Sequence, residues 1–282
     1  MFRGGAIPHC HLPLSVIEVN IVLRTVSNAF ALKRSSMSID SEADLRGMKE
    51  ASRVAVEARD TLAATAEAGV TPRDLDELCG KIYRQYGAQS APRYFYSAPV
   101  NAFISVNDVI VHGLPTTRKF RPGDVVKIDV TPILAGYVSD TATTVVIGNA
   151  HGIAAELALC VREAFFQALE AVRPGNRVRE IGRMVETYVN AQGFQVIKGL
   201  TGHGVGHHIH EEPAIPNYEE RRQTDRIRLN SVLAIEPMIS AGSGEVVERS
   251  DGWTIGTVDR SITAHYEHTI VVRNGEPLIL TA

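Results

Sequence analysis

Residues 125–141, with the sequence VVKIDVTPILAGYVSDT, decide the fold because two apolar runs flank a turn sequence. Alternating β-branched residues on both sides of a Gly-containing turn predict an antiparallel hairpin. We expect the chain to reverse between Leu134 and Ala135, which would set Asp129 directly opposite Asp140. Their β-carbons would then lie about 5 Å apart on one face of the hairpin. The alternate valines and isoleucines would take the other face and pack in the core.

The hairpin by itself leaves two interpretations of Asp129 and Asp140 open. Two carboxylates this close repel each other unless a proton or a cation lies between them, which indicates a metal site. Two solvent-exposed acids at the rim of a hairpin would have the same spacing in the sequence.

A histidine cluster favours the metal site. Residues 202–213, GHGVGHHIHEEP, contain four histidines within eight positions. The glycines around His203 would let the backbone approach a ligand or metal closely. A nucleotide-binding loop does not fit, because no helix-forming run follows, and a zincin helix does not fit, because Pro213 would break it. The cluster indicates metal binding or acid–base chemistry.

Two glutamates complete a candidate set of ligands. Glu236 precedes Pro237 in an apolar setting, and Glu267 precedes the apolar strand sequence of residues 270–272. An unpaired carboxylate would be costly in either place. Two Asp, two Glu and at least one His suit a pair of divalent ions such as Co, Mn, Fe or Zn. Two such ions about 3.5–4 Å apart can hold a bridging hydroxide.

The layout of helices and strands occurs twice along the chain. Apolar periodicity predicts helices from Ser41 to Gly69, from Thr71 to about Tyr86, and over residues 153–172 and 178–191, with strands after each pair. Aligning the halves suggests an internal duplication, although generic amphipathic helices would also align. The layout predicts an α+β domain, with curved antiparallel strands, helices on the outer face and a central site.

Composition limits the classes of partner. The 282 residues carry a net charge of −3, which gives no reason to expect nucleic acid or an anionic membrane as a partner. No stretch is long and apolar enough to span a bilayer. Three scattered cysteines indicate a reduced, cytoplasmic protein.

Residues 1–36 differ from the rest of the chain, since they are basic and poor in acids. A disordered tail, a targeting peptide and a mis-assigned start codon, with Met37 as the true start, all fit this composition. We expect residues 37–282 to form the catalytic domain.

These motifs together resemble the methionine aminopeptidases of type I, which belong to the pita-bread metallopeptidases. The resemblance runs from about Ile39 to the C-terminus. It is carried by the segments 107–115, 127–130, 139–141, 201–206, 210–213, 235–238, 252–254 and 266–269. It implies a pita-bread fold with a pseudo-twofold axis and a dinuclear metal site at the centre. It also implies a monomer that acts on the N-termini of peptides and of nascent proteins near the ribosome.

The resemblance also assigns roles to residues. It implies that two metal ions are held by Asp129, Asp140, His203, Glu236 and Glu267, with Asp140 and Glu267 bridging. Glu236 would also shuttle a proton. His112 would contact the substrate near the scissile amide, and His210 would stabilise the carbonyl oxyanion.

The pocket for the first side chain departs from the family pattern. Phe95, Ala98 and Phe103 stand where the family usually has Tyr, Tyr and Cys, and Ile209 stands where an aromatic residue is common. Trp253 is kept. We expect Phe95, Phe103 and Trp253 to line this pocket. We also expect the protein to hydrolyse peptides but to differ from the family in its preferred first residue.

Two other functions compete with this one. A proline-directed peptidase would share the five ligands, but such enzymes usually carry a whole additional N-terminal domain, which about 40 residues cannot form. A binding protein with a dead site would usually lack some of the ligands.

Overall fold

The computed structural model describes residues 36–282. The predicted tail, residues 1–36, therefore lies outside the described residues except for Ser36. The helices of the described part are α1 Glu42–Thr65, α2 Pro72–Tyr86, α3 Ala91–Tyr96, α4 Gly152–Ala171 and α5 Arg179–Ala191. None of these helices combines the length and the apolar character that crossing a membrane requires.

The strands are short and numerous. In chain order they are β1 Gln89–Ser90, β2 Phe103–Val106, β3 Val109–Val111, β4 Val125–Val130, β5 Pro132–Leu134, β6 Tyr137–Val138, β7 Thr141–Val146, β8 Gln195–Val196, β9 Thr201–Gly204, β10 Glu211–Pro216, β11 Val232–Ile235, β12 Met238–Ser240, β13 Val246–Glu248, β14 Ile255–Thr257, β15 Thr263–His265, β16 Glu267–Val271 and β17 Leu278–Ile279.

The central sheet has a symmetric order. Its strands run β10-β9-β11-β16-β7-β4-β2, with β17 paired to β16, and all neighbouring strands are antiparallel. The two halves of the chain meet where β7 pairs with β16. On one side of this junction lie β7, β4 and β2, and on the other lie β16, β11 and β9. The α+β prediction is confirmed, and the order of strands is the one expected from duplicated halves.

One helix pair packs on each half of the sheet. Apolar residues of α1 and α2 form a buried cluster with Val126, Ile128 and Val130 of β4, so these three take the core-facing side as predicted. A second cluster joins α4 and α5 to Leu233 of β11 and Ile270 of β16. These helices bury the outer face of the sheet and leave its other face for polar side chains.

The register of the β4–β7 hairpin differs from the prediction. Ala135 and Gly136 have φ values of 50° and 85°, so they form the two central positions of a tight turn with positive φ. Leu134 therefore pairs with Tyr137, and Asp129 lies opposite Ala142 rather than Asp140. Because the shift is two residues, Asp140 keeps the same face of the sheet and becomes a diagonal neighbour of Asp129.

The first predicted helix also ends earlier than expected. It begins as predicted, with Ser41 as the N-cap accepting from the Asp44 backbone N–H, but it ends at Thr65. Gly69 lies in the connection to α2, where its N–H donates to the carbonyl of Phe120. The second helix has the predicted Pro72 in its first turn and a capping box formed by Thr71 and Asp74.

The segment just before α1 is packed against the second half of the chain. Met37 is 4% exposed, and its backbone N–H donates to the Glu211 carboxylate at 2.5 Å. Ile39 is buried, and its N–H donates to the carbonyl of Asn230. A side chain at Gly206 would collide with Met37. Met37 and Ile39 are therefore part of the packing of the described domain.

We expect deletion of residues 1–35, whose basic, acid-poor composition sets them apart from the domain, to leave the melting temperature unchanged. Deletion of residues 1–40 should lower it, because the buried carboxylate of Glu211 loses a donor. Met37→Ala alone should cost about 2–5 kcal/mol, the range for truncating a buried methionine. Thermal and urea denaturation measure both effects, with Asp40→Ala, at an exposed position, as the control. A large loss on deleting residues 1–35 alone would show that the tail stabilises the domain.

Candidate metal centre

The five predicted ligands converge at the centre of the main sheet. They come from different strands: Asp129 from β4, Asp140 from the residue before β7, His203 from β9, Glu236 from the residue after β11 and Glu267 from the start of β16. Four of them are at most 8% exposed, and Asp129 is half-buried. Strand pairing therefore assembles a compact polar group from residues far apart in the sequence.

His203 faces two of the carboxylates. Its Nε2 lies 3.2 Å from Glu236 Oε1 and 4.0 Å from Asp140 Oδ2. Its Nδ1 lies 2.9 Å from the carbonyl oxygen of Gly204, which is an acceptor, so we assign the proton to Nδ1. Nε2 is then the nitrogen that faces the carboxylates, and a hydrogen bond from the other ring nitrogen is the usual arrangement in a metal-binding histidine.

The carboxylates are too concentrated to be stable as free anions. Burial, followed by repulsion from Asp140 and Glu236, raises the pKa of Asp129 and of Glu267 well above the usual values. Burial also raises the pKa of Asp140 and of Glu236. Such a group requires protons or cations between its members.

Buried carboxylate oxygens without a hydrogen-bond partner indicate whether divalent cations fit this group of residues. Asp129 Oδ1 and Glu267 Oε1 are buried, and neither accepts a hydrogen bond from the described part of the chain. Asp140, His203 and Glu267 each place a donor atom within 4.8 Å of the others. Carboxylate oxygens and an imidazole nitrogen suit Mn, Fe, Co or Zn. The residues present therefore fit a metal centre.

Two threonine hydroxyl groups hold the side chain and the backbone of Asp140 in place. Thr131 Oγ1 donates to Asp140 Oδ1 at 2.8 Å, and the Asp140 N–H donates to Thr269 Oγ1 at 2.9 Å. Thr269 Oγ1 also lies 2.8 Å from the Asp140 carbonyl oxygen. These contacts fix Asp140 across the junction of the two halves.

The glycines beside His203 have a different role from the predicted one. A side chain at Gly202 would collide with the carbonyl of Ala234, and one at Gly204 with the carbonyl of Glu212. These carbonyls belong to the neighbouring strands β11 and β10. Gly202 and Gly204 thus permit close strand packing rather than direct approach to a ligand.

His210 and His112 lie beside the carboxylate cluster. The His210 ring centroid is 4.4 Å from that of His203. Burial, and then His203 and His112, lower the pKa of His210 well below its usual value, and burial lowers the pKa of His112 to about 4. Both rings are therefore neutral at neutral pH.

Tyr96 orients His210, which the sequence did not reveal. Its hydroxyl lies 2.7 Å from His210 Nδ1, and burial raises the pKa of Tyr96 above its usual value. We assign the hydroxyl as the donor to Nδ1, which places the imidazole proton of the neutral ring on Nε2. His210 is then a hydrogen-bond donor directed by Tyr96.

The residues expected in the first-residue pocket lie in two different places. Phe103 belongs to a buried cluster with Ala98, Val100, Leu114 and Trp253. The Phe103 ring lies 4.8 Å from His112 and 6.3 Å from Trp253.

Phe95 is placed differently from its two predicted partners. Its ring lies 5.3 Å from that of His208, in a cluster that also contains Ile209 and Met37. Since α3 turns Tyr96 towards His210, its neighbour Phe95 faces another direction.

A second histidine, which the sequence motifs did not predict as a site residue, lies against the carboxylates. His265 is 2% exposed, and its Nε2 lies 3.6 Å from Glu236 Oε2 and 3.7 Å from Glu267 Oε2. Its position two residues before Glu267 was the available signal, because residues two apart on extended backbone share a face.

This geometry defines a metal-dependent hydrolase centre on a pita-bread fold, and comparisons with known proteins identify the family. The model of metallopeptidase family M24 matches residues 46–274. The chain belongs to metallopeptidase family M24.

Within the family the chain is similar to methionine aminopeptidases. It is 39% identical over 247 residues to methionine aminopeptidase 2 of Bacillus subtilis (strain 168), covering 87% of this chain and 99% of the relative. The crystal structure of methionine aminopeptidase from Rickettsia prowazekii superposes with a TM-score of 0.83 at 31% identity, covering 88% of this chain and all of that one. Prolidase from Pyrococcus furiosus shares the fold, with a TM-score of 0.68 at 19% identity, and this chain covers 67% of its length.

We expect metal-free protein to lose stability as the pH rises from about 4, the value for unfolded carboxyls. An acid with a raised pKa in the folded state stabilises the fold fully below its unfolded pKa, and this contribution disappears as the pH rises through the folded value. Added Co²⁺ should restore the melting temperature at pH 7.5. Thermal denaturation with and without chelator measures the effect.

Glu267→Gln is the matched control, since it removes one buried charge and keeps the shape of the side chain. The pH slope of the metal-free variant should be shallower than that of wild type. Equal slopes would contradict the placement of Glu267 in a carboxylate cluster.

Proposed function

We propose that this protein hydrolyses the first peptide bond of peptides and nascent proteins, releases N-terminal methionine, and uses two divalent metal ions. The observation that carries the proposal is the convergence of Asp129, Asp140, His203, Glu236 and Glu267 in one buried group with unpaired oxygens. The similarity to methionine aminopeptidases over nearly the full length of those relatives supports the substrate.

The positions of the five proposed ligands suggest two groups. Asp140 and Glu267, at the junction of the two halves, would bridge the ions, and Asp129, His203 and Glu236 would complete the set. When bound, divalent ions polarise a substrate carbonyl and lower the pKa of water to near neutral.

The other residues would act on the substrate and its protons. Glu236 would move a proton from the attacking water towards the leaving amine. His210, with Nε2–H available, would donate to the carbonyl oxygen as negative charge develops there, and remain neutral. His112 would contact the scissile amide.

The proposal includes the compartment in which the protein acts. Cys79 and Cys160 are buried free thiols, and burial raises the pKa of Cys79 to about 12. Unpaired, protonated thiols suit a reducing compartment. We place the enzyme in the cytoplasm as a monomer that acts on nascent N-termini, which emerge there from the ribosome.

This function is tested by assaying protein of defined metal content on a panel of peptide substrates. Metal-free protein should be inactive on Met-Ala-Ser, and Co²⁺ or Mn²⁺ should restore cleavage. A proline-directed peptidase would instead prefer Xaa-Pro substrates, and a binding protein would cleave nothing. Metal analysis of the same preparations shows whether inactivity reflects missing metal.

We expect His210→Ala to lower kcat by about 10²–10³, the range for one lost oxyanion donor, while metal content is unchanged. Tyr96→Phe should lower kcat less, because the ring of His210 stays in place but loses the donor to Nδ1. The control is Tyr94→Phe, at an exposed tyrosine on the same helix. Loss of metal from His210→Ala would show that His210 is a ligand.

We expect Phe103→Cys to change the preference for methionine over leucine or norleucine by at least tenfold. Changes of about a methylene in an apolar pocket are worth roughly 1–3 kcal/mol, or 10–200-fold. The measurement is kcat/KM on X-Ala-Ser peptides. Phe95→Leu is the control, because Phe95 packs in the other cluster. If Phe95→Leu changes selectivity and Phe103→Cys does not, Phe103 is not a pocket residue.

A further inference from the structure

A second group of metal-ligand atoms lies next to the first. Glu236, His265 and Glu267 are all buried, and each places a donor atom within 4.8 Å of the others. The group shares Glu267 with the group formed by Asp140 and His203. The donors are one imidazole nitrogen and two carboxylate oxygens.

The His265 ring has no other role in the described structure. Among residues 36–282, neither of its ring nitrogens makes a hydrogen bond. Burying an imidazole without any polar partner is costly, and such groups require an explanation.

The distances fit ligands of one ion better than hydrogen bonds. Nε2 lies 3.6 Å from Glu236 Oε2 and 3.7 Å from Glu267 Oε2, which is beyond hydrogen-bond range. Two ligand atoms at about 2.0–2.2 Å from the same ion, in tetrahedral geometry, lie roughly 3.3–3.6 Å apart.

Glu236 is placed between two imidazoles. Its Oε1 is 3.2 Å from His203 Nε2, and its Oε2 is 3.6 Å from His265 Nε2. The two oxygens of one carboxylate thus each face the ring nitrogen of a different histidine.

The main chain fixes the direction of His265. The His265 N–H donates to Thr144 Oγ1 at 2.9 Å, and Thr144 Oγ1 donates to the His265 carbonyl at 2.7 Å. Met238 of β12 pairs with His265 on its other side. The backbone of His265 is thus held on both edges of its strand, which fixes the position of its Cβ beside the two glutamates.

We propose that His265 is a sixth metal-binding residue, which contributes a nitrogen ligand through Nε2 to an ion shared with Glu236 and Glu267. The inference rests on the metal-binding role proposed above for these two glutamates. A second imidazole shifts the preference of the centre towards Co²⁺ and Zn²⁺ and away from Mn²⁺, because imidazole suits the former and carboxylate the latter.

The decisive experiment is ¹H NMR of the full-length protein loaded with Co²⁺. Imidazoles bound to this paramagnetic ion give strongly shifted, exchangeable N–H resonances. Two such resonances are expected in wild type, from His203 and His265, and one in His265→Gln. A single resonance in wild type overturns the proposal, and this outcome does not depend on whether the variant folds.

Metal affinity gives a second readout that is separate from activity. His265→Gln should weaken Co²⁺ binding, measured by calorimetry, by at least the 10–100-fold seen when a supporting group is removed. It should weaken Mn²⁺ binding less. His207→Gln, at an exposed histidine, is the control and should bind both ions as wild type does.

The outcomes separate this inference from the proposed function. A wild type that binds Co²⁺ and cleaves Met-Ala-Ser, but shows one shifted imidazole resonance, refutes only the role of His265. A wild type that binds no divalent ion refutes both. Equal losses for Co²⁺ and Mn²⁺ in His265→Gln, with two resonances retained, would refute ligation by His265.

Discussion

Negative charge at the centre of the sheet is the constraint on which the rest of the structure depends. Asp129, Asp140, Glu236 and Glu267 converge where the two halves of the chain meet, and burial raises the pKa of each. Their mutual repulsion opposes folding unless protons or cations neutralise it. The helix pairs, which bury the opposite face of the sheet, supply apolar packing on both halves and hold the strands that carry these acids.

The histidines of the site differ in what holds their ring nitrogens. His203 has Nδ1 against a backbone carbonyl, and His210 has Nδ1 against the Tyr96 hydroxyl. These contacts direct one ring towards the carboxylates and make the other a donor. His265 is held through its backbone, and its ring nitrogen faces two glutamates, which is the position of a ligand.

In the proposed function, hydrolysis and selectivity depend on separate parts of the fold. The proposed ligands lie on or next to strands of the central sheet, where pairing fixes them. Phe103 and Trp253 lie together at one side, next to His112, and Trp253 precedes β14 in a loop. In the proposed function the pocket would contact a side chain and the metal centre would act on the backbone, so substitutions in the pocket would change the preferred residue without removing the chemistry.

The sequence by itself determined the α+β class and most helices and strands, because local periodicity carries that information. Residue chemistry, together with the family resemblance, predicted five ligand positions, and the structure brings these five residues together. The sequence did not determine the register of the β4–β7 hairpin, since only the conformation of Ala135 and Gly136 decides which residues pair. The contacts of Tyr96, Phe95 and His265 depend on how α3 and β15 pack against distant strands. Those contacts join residues far apart in the chain, so only the tertiary structure decided them.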